Sequence, residues 1–312
     1  MKKMLFIINP RSGREQIRNR LLGILDTFIK AGYETEVYIT QDAGDARRIV
    51  GEKGALKDMV VCSGGDGTLN EVVSGMMLLE REHRPVLGYI PSGSTNDFAA
   101  SLELPKDMAE AATVAVSGTD YPTDVGRFGA DQYFIYVAAF GVFTEVSYRT
   151  PQEAKNLLGH PAYMLEAVKE ITSLKSCRLR VEWEDGILED DFILGMVTNT
   201  MQIGGFKGLV GADVALNDGE FEVLLVRMPK APKDIASIAS YLIQREGEND
   251  CVSRFRARRL RITAREPVDW TLDGEYGGSW TEVEIENQRQ AAVIRRKPSY
   301  MVEPVWKLTE KL

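Results

Sequence analysis

The residues most suited to chemistry lie in Met59-Val60-Val61-Cys62-Ser63-Gly64-Gly65-Asp66-Gly67-Thr68-Leu69-Asn70-Glu71. The apolar, β-branched start predicts a short buried strand, and Leu69, Val72, Val73 and Met76 recur at helical spacing beyond the glycines. A strand, a glycine turn and a helix start together present bare N–H groups and a positive helix dipole to an incoming anion. The glycines permit close approach of a polyphosphate. Asp66 is the exception in such a cradle, because a carboxylate repels phosphate. It has a role there if it holds a divalent cation, a sugar or an ordered water. The competing reading is an ordinary β–α turn with Asp66 facing solvent.

A second acidic group is Trp270-Thr271-Leu272-Asp273-Gly274-Glu275. Asp273 and Glu275 lie two residues apart on one side of an extended segment. Like charges held close resist joint ionisation, which would raise one pKa and make that group a base near neutral pH. Asp-Gly is equally a strong signal for a type I′ hairpin turn. Asn217-Asp218-Gly219 between apolar runs is a further turn signal, and its spacing is not that of an EF-hand. Arg254, Arg256 and Arg258 share one strand face. That face is either simply solvated or a cationic patch for anionic head groups.

These groups must be positioned by two kinds of structure. Strands at 4–8, 34–40, 59–63 and 86–90 alternate with helices, which implies a parallel sheet with right-handed crossovers. In such sheets ligands bind beyond the carboxyl ends of the strands. Four loops should meet there: 9–14, 40–44, 64–68 and 91–97. The first helix carries Ile17, Leu21, Leu22, Ile24, Leu25, Phe28 and Ile29 on a broad apolar face, and a second spans Asp42 to about Lys53. After residue 123 the pattern turns to strands at 178–184, 188–198, 220–228, 254–264, 267–272, 281–286 and 291–296. Helices are expected only at about 152–173 and 232–245. The fold class expected is an α/β N-terminal domain (1–123, parallel sheet) and a mainly antiparallel β-sandwich C-terminal domain (124–296). The tail 297–312 is apolar enough to pack.

The 312 residues suffice for two domains. A formal charge of −8 argues against a general nucleic-acid binder. No stretch approaches the roughly 20 apolar residues of a membrane span, and the start reads as a strand rather than a leader. Three scattered cysteines fit a reducing cytoplasm. The two histidines sit in no zinc or triad motif. The Gly-x-x-x-x-Gly-Lys-[Ser/Thr] loop and the protein-kinase motifs are absent from the sequence.

Gly64–Thr68 with Asn70-Glu71 resembles the signature of the diacylglycerol-kinase-type lipid kinases, a group that includes the sphingosine kinases. The shorter Gly-Gly-Asp-Gly-Thr core is also similar to NAD kinases and phosphofructokinases, whose domain architecture the resemblance implies for the first domain. Asn9-Pro10-Arg11-Ser12-Gly13, Pro91 to Ala99 and Leu272-Asp273-Gly274-Glu275 match the other signatures in order. Ser94 stands where a threonine is commonest. The resemblance implies that Asn9, Pro10, Arg11, Ser12, Gly13, Thr40, Gly64, Gly65, Asp66, Gly67, Thr68, Leu69, Asn70 and Ser94 contact ATP. It implies that Glu275 takes the proton of a lipid hydroxyl, while Asp273 helps hold Mg²⁺ or the nucleophile. It places a structural Mg²⁺ on Asp218 and the carbonyls of Ala215 and Glu220, with Asn217 replacing a frequent aspartate. Asp97 and Asp124 match acidic positions lining the cleft, and the C-terminal tail should return to the first domain.

The function expected is an ATP- and Mg²⁺-dependent lipid kinase, diacylglycerol being the first acceptor to test. It would be cytoplasmic and peripherally membrane-associated, and an exposed sheet edge would let it form a homodimer. The rivals are an NAD kinase-like enzyme and a non-catalytic nucleotide sensor.

Overall fold

The computed structural model describes residues 1–15, 17–93, 96–141, 176–200, 202–203, 206–207, 215–231, 233–235, 237–238, 241 and 249–298. The chain opens with β1 (Lys2–Ile8), α1 (Ile17–Lys30), β2 (Tyr33–Ile39), α2 (Asp45–Lys53), β3 (Met59–Gly64), α3 (Asp66–Met76) and β4 (Val86–Pro91). β1 pairs in parallel with β2 and β3, and β3 pairs in parallel with β4. Alternate side chains of β1 go to opposite cores, as strand geometry requires. Met4, Phe6 and Ile8 pack with Ile24 and Phe28 of α1, and Leu5 and Ile7 share a core with Val50 of α2 and Leu69 and Val72 of α3. Both faces of β1, β3 and β4 are therefore covered, which accounts for their nearly unbroken apolar runs, whereas β2 at the sheet edge carries Glu34 and Glu36 and is largely unburied.

The helix expected from Asp42 begins at Asp45, because Gly44 takes a left-handed φ of 84° and ends the incoming loop. The apolar face of α1 is narrower than its composition suggested: Leu22 and Ile29 are exposed.

Beyond β4 come α4 (Asp97–Ser101), α5 (Met108–Ser117), β5 (Thr119–Phe128), β6 (Gln132–Phe134) and β7 (Val137–Gly141). β8 (Cys177–Trp183), β9 (Gly186–Thr198), the short hairpin β10 (Gln202–Ile203) and β11 (Phe206–Lys207), β12 (Phe221–Arg227) and β13 (Val252–Ala257) lead to the long hairpin β14 (Arg259–Leu272) and β15 (Glu275–Arg296). The pairings of β7, β8, β9, β12, β13 and β14 with one another are antiparallel. Together with β5 and β6 they enclose an aromatic core of Phe128, Phe134, Phe140, Phe192, Phe221 and Trp270. The division expected between residues 123 and 124 falls inside β5, whose pairing with β15 runs from Thr119 to Phe128.

Two expected breaks are bulges within longer strands. β14 shifts register between Thr263 and Val268, across Pro267, which has no N–H to give a ladder. β15 shifts between Gln288 and Ala292, around Gln290 with its φ of 50°. β15 spans the molecule: it pairs with β14, then β5, and its Ile294 pairs with Leu87 of β4. A single 13-stranded sheet among the described residues thus joins the parallel and antiparallel parts. The helix expected near 152–173 and the tail from 299 lie outside the described residues, as does much of the helix expected at 232–245.

Candidate active site

The strand ends of β1, β3 and β4 bring three loops into contact. The Asn9 N–H donates to the Ser63 carbonyl at 2.9 Å, and the Ser92 N–H donates to the Gly64 carbonyl at 2.9 Å. Glycine lets the backbones close. A Cβ on Gly13, which has a φ of 56°, would lie 1.7 Å from the Ser92 carbonyl oxygen. A Cβ on Gly93 would lie 2.6 Å from Gly65 Cα. These contacts leave no room for a side chain between the loops.

α3 starts inside this crevice with Gly65 extended at its N-cap and no side chain capping it. The first amides of a helix have no partner within the helix, so the start of α3 offers N–H groups and dipole to an anion. Asp66 stands at that start. Its Oδ2 accepts from the Asp97 N–H at 3.2 Å, and its Oδ1 is buried without a hydrogen-bond partner. Burial, then the Asp97 charge, push its carboxyl up to about 7, against the pull of the Asp97 amide.

The β14–β15 turn closes the crevice from the other side. Asp273 and Gly274 have φ of 51° and 87°, and Leu272 pairs with Glu275, the geometry of a type I′ hairpin turn. The turn and the acidic pair are one feature. Glu275 is exposed and lies over α3: a Cβ on Gly67 would be 3.3 Å from Glu275 Oε1.

Asp273 is placed otherwise than expected for a metal or nucleophile ligand. It is only 3% exposed. Its Oδ1 accepts from the N–H groups of Tyr136 (2.9 Å) and Val137 (3.0 Å), and its Oδ2 from the Ile135 N–H (2.7 Å) and Asn70 Nδ2 (2.7 Å). Both oxygens are occupied. Burial raises its pKa, opposed by Asn70 and the three amides. The cause is desolvation, whereas the sequence had suggested repulsion by Glu275.

The other expected nucleotide contacts divide into those facing the crevice and those tied elsewhere. Asn9 Nδ2 donates to Thr68 Oγ1 at 2.9 Å and Asn9 Oδ1 accepts from the Arg11 N–H at 3.0 Å, so this side chain shapes the loop carrying Pro10, Ser12 and Gly13. Thr40 is buried and its hydroxyl turns to the Ile8 carbonyl. Leu69 packs into the core, leaving its backbone alone for any ligand. Glu71 caps α2, accepting from the N–H groups of Gly44 (2.8 Å) and Ala46 (3.1 Å). Ser94 lies outside the described residues.

Two tyrosines at the crevice, Tyr89 and Tyr136, carried no sequence signal of their own, and Asn96 carried one only through the Pro91–Ala99 signature. Tyr89 and Asn96 brace the β4 loop: the Tyr89 hydroxyl lies 3.3 Å from the Gly64 carbonyl and 3.2 Å from Asn96 Oδ1. Asn96 and Gly93 exchange two hydrogen bonds, of 3.0 and 2.7 Å. Tyr136 has its phenol pKa raised by burial, then by Asp273, Asp66 and Asp97. Each tyrosine sits in an apolar strand run, where its type suggests packing.

Asp218 accepts from the Glu220 N–H at 3.0 Å and has Arg256 at 4.0 Å. Asp124, wholly buried, accepts from the N–H groups of Gly219 (2.7 Å) and Gln290 (2.6 Å). Among the described residues no three His, Cys, Asp or Glu side chains cluster as a metal site. Four arginines of the run face carboxylates: Arg256 with Glu222, Arg258 with Glu220, Arg259 with Glu284 and Arg261 with Glu282.

The family model for the diacylglycerol kinase catalytic domain matches residues 3–128, and that for a YegS C-terminal NAD kinase beta sandwich-like domain matches 137–291. The chain is 37% identical to the diacylglycerol kinase of Bacillus subtilis (strain 168), over 89% of this chain and 91% of that one. It is 34% identical to the diacylglycerol kinase of Staphylococcus aureus (strain bovine RF122 / ET3-1), over 89% and 87%. A crystal structure described as that of a candidate diacylglycerol kinase from Bacillus anthracis str. Sterne superposes with a TM-score of 0.80 at 27% identity, over 95% of this chain and 96% of that one. Family models matching both parts of the chain and relatives matched over most of their length place this chain in the diacylglycerol kinase family.

Proposed function

We propose that the protein transfers the γ-phosphate of ATP to the hydroxyl of a lipid, with diacylglycerol as acceptor and phosphatidic acid as product. The observation that carries this reading is Glu275 Oε1 standing over Gly67, at the uncapped start of α3. There the amides of α3 and of the glycine loops grip the polyphosphate, and Glu275 accepts the proton as the lipid oxygen attacks the γ-phosphorus, whose bond to the β–γ bridging oxygen breaks to release ADP. Phosphoryl transfer passes through a loose transition state, so placement and charge neutralisation outweigh the base.

Mg²⁺ fits this crevice through Asp66, whose buried Oδ1 lacks a hydrogen-bond partner and is an oxygen ligand of the kind the ion prefers. Bound there, the ion would neutralise charge on the phosphates. Asp97 lies beside Asp66 and would share the site. Asp273 serves by fixing the turn that presents Glu275. A second, structural Mg²⁺ on Asp218 with the Ala215 and Glu220 carbonyls is a further proposal, and the Arg256 cation 4.0 Å from Asp218 competes with it.

Among the described residues no helix is long and apolar enough to cross a membrane. We place the enzyme in the cytoplasm, meeting the bilayer at its edge, since its acceptor resides there. The NAD kinase-like and phosphofructokinase-like character of the fold belongs to the same reading, as does a homodimer.

The test is transfer of labelled γ-phosphate to dispersed diacylglycerol, with NAD⁺ as a parallel acceptor. The reading predicts labelled phosphatidic acid that requires Glu275. Label on NAD⁺ alone identifies an NAD kinase-like enzyme, and ATP binding without any transfer identifies a nucleotide sensor.

A further inference from the structure

Asn70 sits one turn into α3, four residues beyond Asp66, within the motif that resemblance gives to ATP. Its side chain is engaged elsewhere. The amide nitrogen donates to Asp273 Oδ2 at 2.7 Å and to the Tyr133 carbonyl at 2.9 Å, and Oδ1 accepts from the Ser74 hydroxyl at 3.3 Å. Tyr133 belongs to β6 and Asp273 to the β14–β15 turn, so one carboxamide fastens α3 to two separate pieces of the antiparallel part.

We propose that Asn70 is a positioning residue that sets the phosphate-gripping start of α3 in register with the turn bearing Glu275. The kinetic side of this inference rests on the lipid kinase reading. The linkage runs Asp66, one rigid helical turn, Asn70, Asp273, then two residues to Glu275. A single hydrogen bond would act as a pivot, whereas two acceptors in different directions remove the rotation. The residue type is constrained: a carboxylate at 70 has no N–H to give and would set a like charge against buried Asp273. Alanine removes the link and leaves the Asp273 oxygen one donor short.

The experiment compares wild type with Asn70→Ala and Asn70→Asp by three measurements. These are ATP affinity by calorimetry, steady-state transfer to diacylglycerol, and hydrogen exchange of the amides of residues 135–137 and 272–276. The expected result for Asn70→Ala is an ATP Kd and KM within about twofold of wild type and a kcat lower by roughly 10–100-fold, the scale of a misplaced reacting group. Exchange at 135–137 quickens. Asn70→Asp is worse than Asn70→Ala on both kcat and exchange. A loss confined to ATP affinity, or exchange unchanged from wild type, overturns the proposal in favour of a nucleotide contact. If Asn70→Asp does not fold, Asn70→Ser replaces it and must behave as Asn70→Ala. If wild type phosphorylates no lipid, the functional reading fails, and the exchange measurement still decides the link.

Discussion

Two Asp-Gly turns in this chain share a left-handed glycine and have opposite surroundings. Gly274 and Gly219 have φ of 87° and 88°. Asp273, before the first, is buried and accepts four N–H groups drawn from 135–137 and Asn70. Asp218, before the second, accepts one amide of its own turn and lies 4.0 Å from Arg256. Both dipeptides supply a left-handed glycine, but only Asp273 is itself left-handed, and what each turn faces fixes its role. The chain at 135–137 passes the first turn with N–H groups aimed at it, and the carboxylate satisfies them where a strand would otherwise have to. The second turn leaves that task to Asp124 from β5.

Breaking each turn should therefore have unequal consequences. Asp273→Ala strands several buried donors at about 1–3 kcal/mol for each group left unsatisfied. We expect a loss of at least roughly 3 kcal/mol in denaturant unfolding, together with loss of activity. Asp218→Ala should cost under about 1 kcal/mol, as surface changes do. Equal costs would erase the contrast.

Within the first turn, Glu275 is exposed where Asp273 is buried, so Glu275→Gln should lower kcat by about 10²–10⁴ and leave the melting temperature unchanged. A matching Glu220→Gln in the second turn should leave kcat intact. A melting-temperature loss in Glu275→Gln comparable to that of Asp273→Ala would merge the two roles.

Acidity sharpens the contrast further. Asp66 beside the first turn is pushed up to about 7 by burial. A raised carboxyl pKa favours the protonated form in the fold, so its contribution is full below the unfolded pKa near 4 and is lost as pH rises through about 7. A cation restores it only when Asp66 is ionised. Mg²⁺ should therefore raise the melting temperature of wild type more at pH 8 than at pH 6, and Asp66→Asn should remove the difference. The smallest effect expected is that of Gly67→Ala: its Cβ, 3.3 Å from Glu275 Oε1, displaces that carboxylate by tenths of an ångström. Turnover should fall roughly several-fold with stability little changed.

Much of this was legible in the chain. The parallel strands β1, β3 and β4 announced themselves through nearly unbroken apolar runs, and the loops at their ends through Asn9–Gly13, Gly64–Thr68 and Pro91–Gly93. The division of labour in the acidic turn was not legible, because Asp273 and Glu275 differ only in what lies across from them, and residues 135–137 are 136 or more positions away. Asn70 was hidden for the same reason: its partners, Tyr133 and Asp273, lie far along the chain. The bulges at Pro267 and Gln290 read as strand breaks because local pattern marks a lost rung and not whether the strand resumes in line. The Arg254–Arg261 run looked cationic since its carboxylates come from β12, β15 and the turn at 220.

The most direct measurement is the rate of labelled phosphate transfer from ATP to dispersed diacylglycerol by wild type and Glu275→Gln, with ATP affinity measured alongside. Transfer by wild type, its loss by at least about 10²-fold in the variant and an unchanged ATP Kd would agree with a base facing the α3 phosphate grip. A Glu275→Gln enzyme that turns over at the wild-type rate would contradict it.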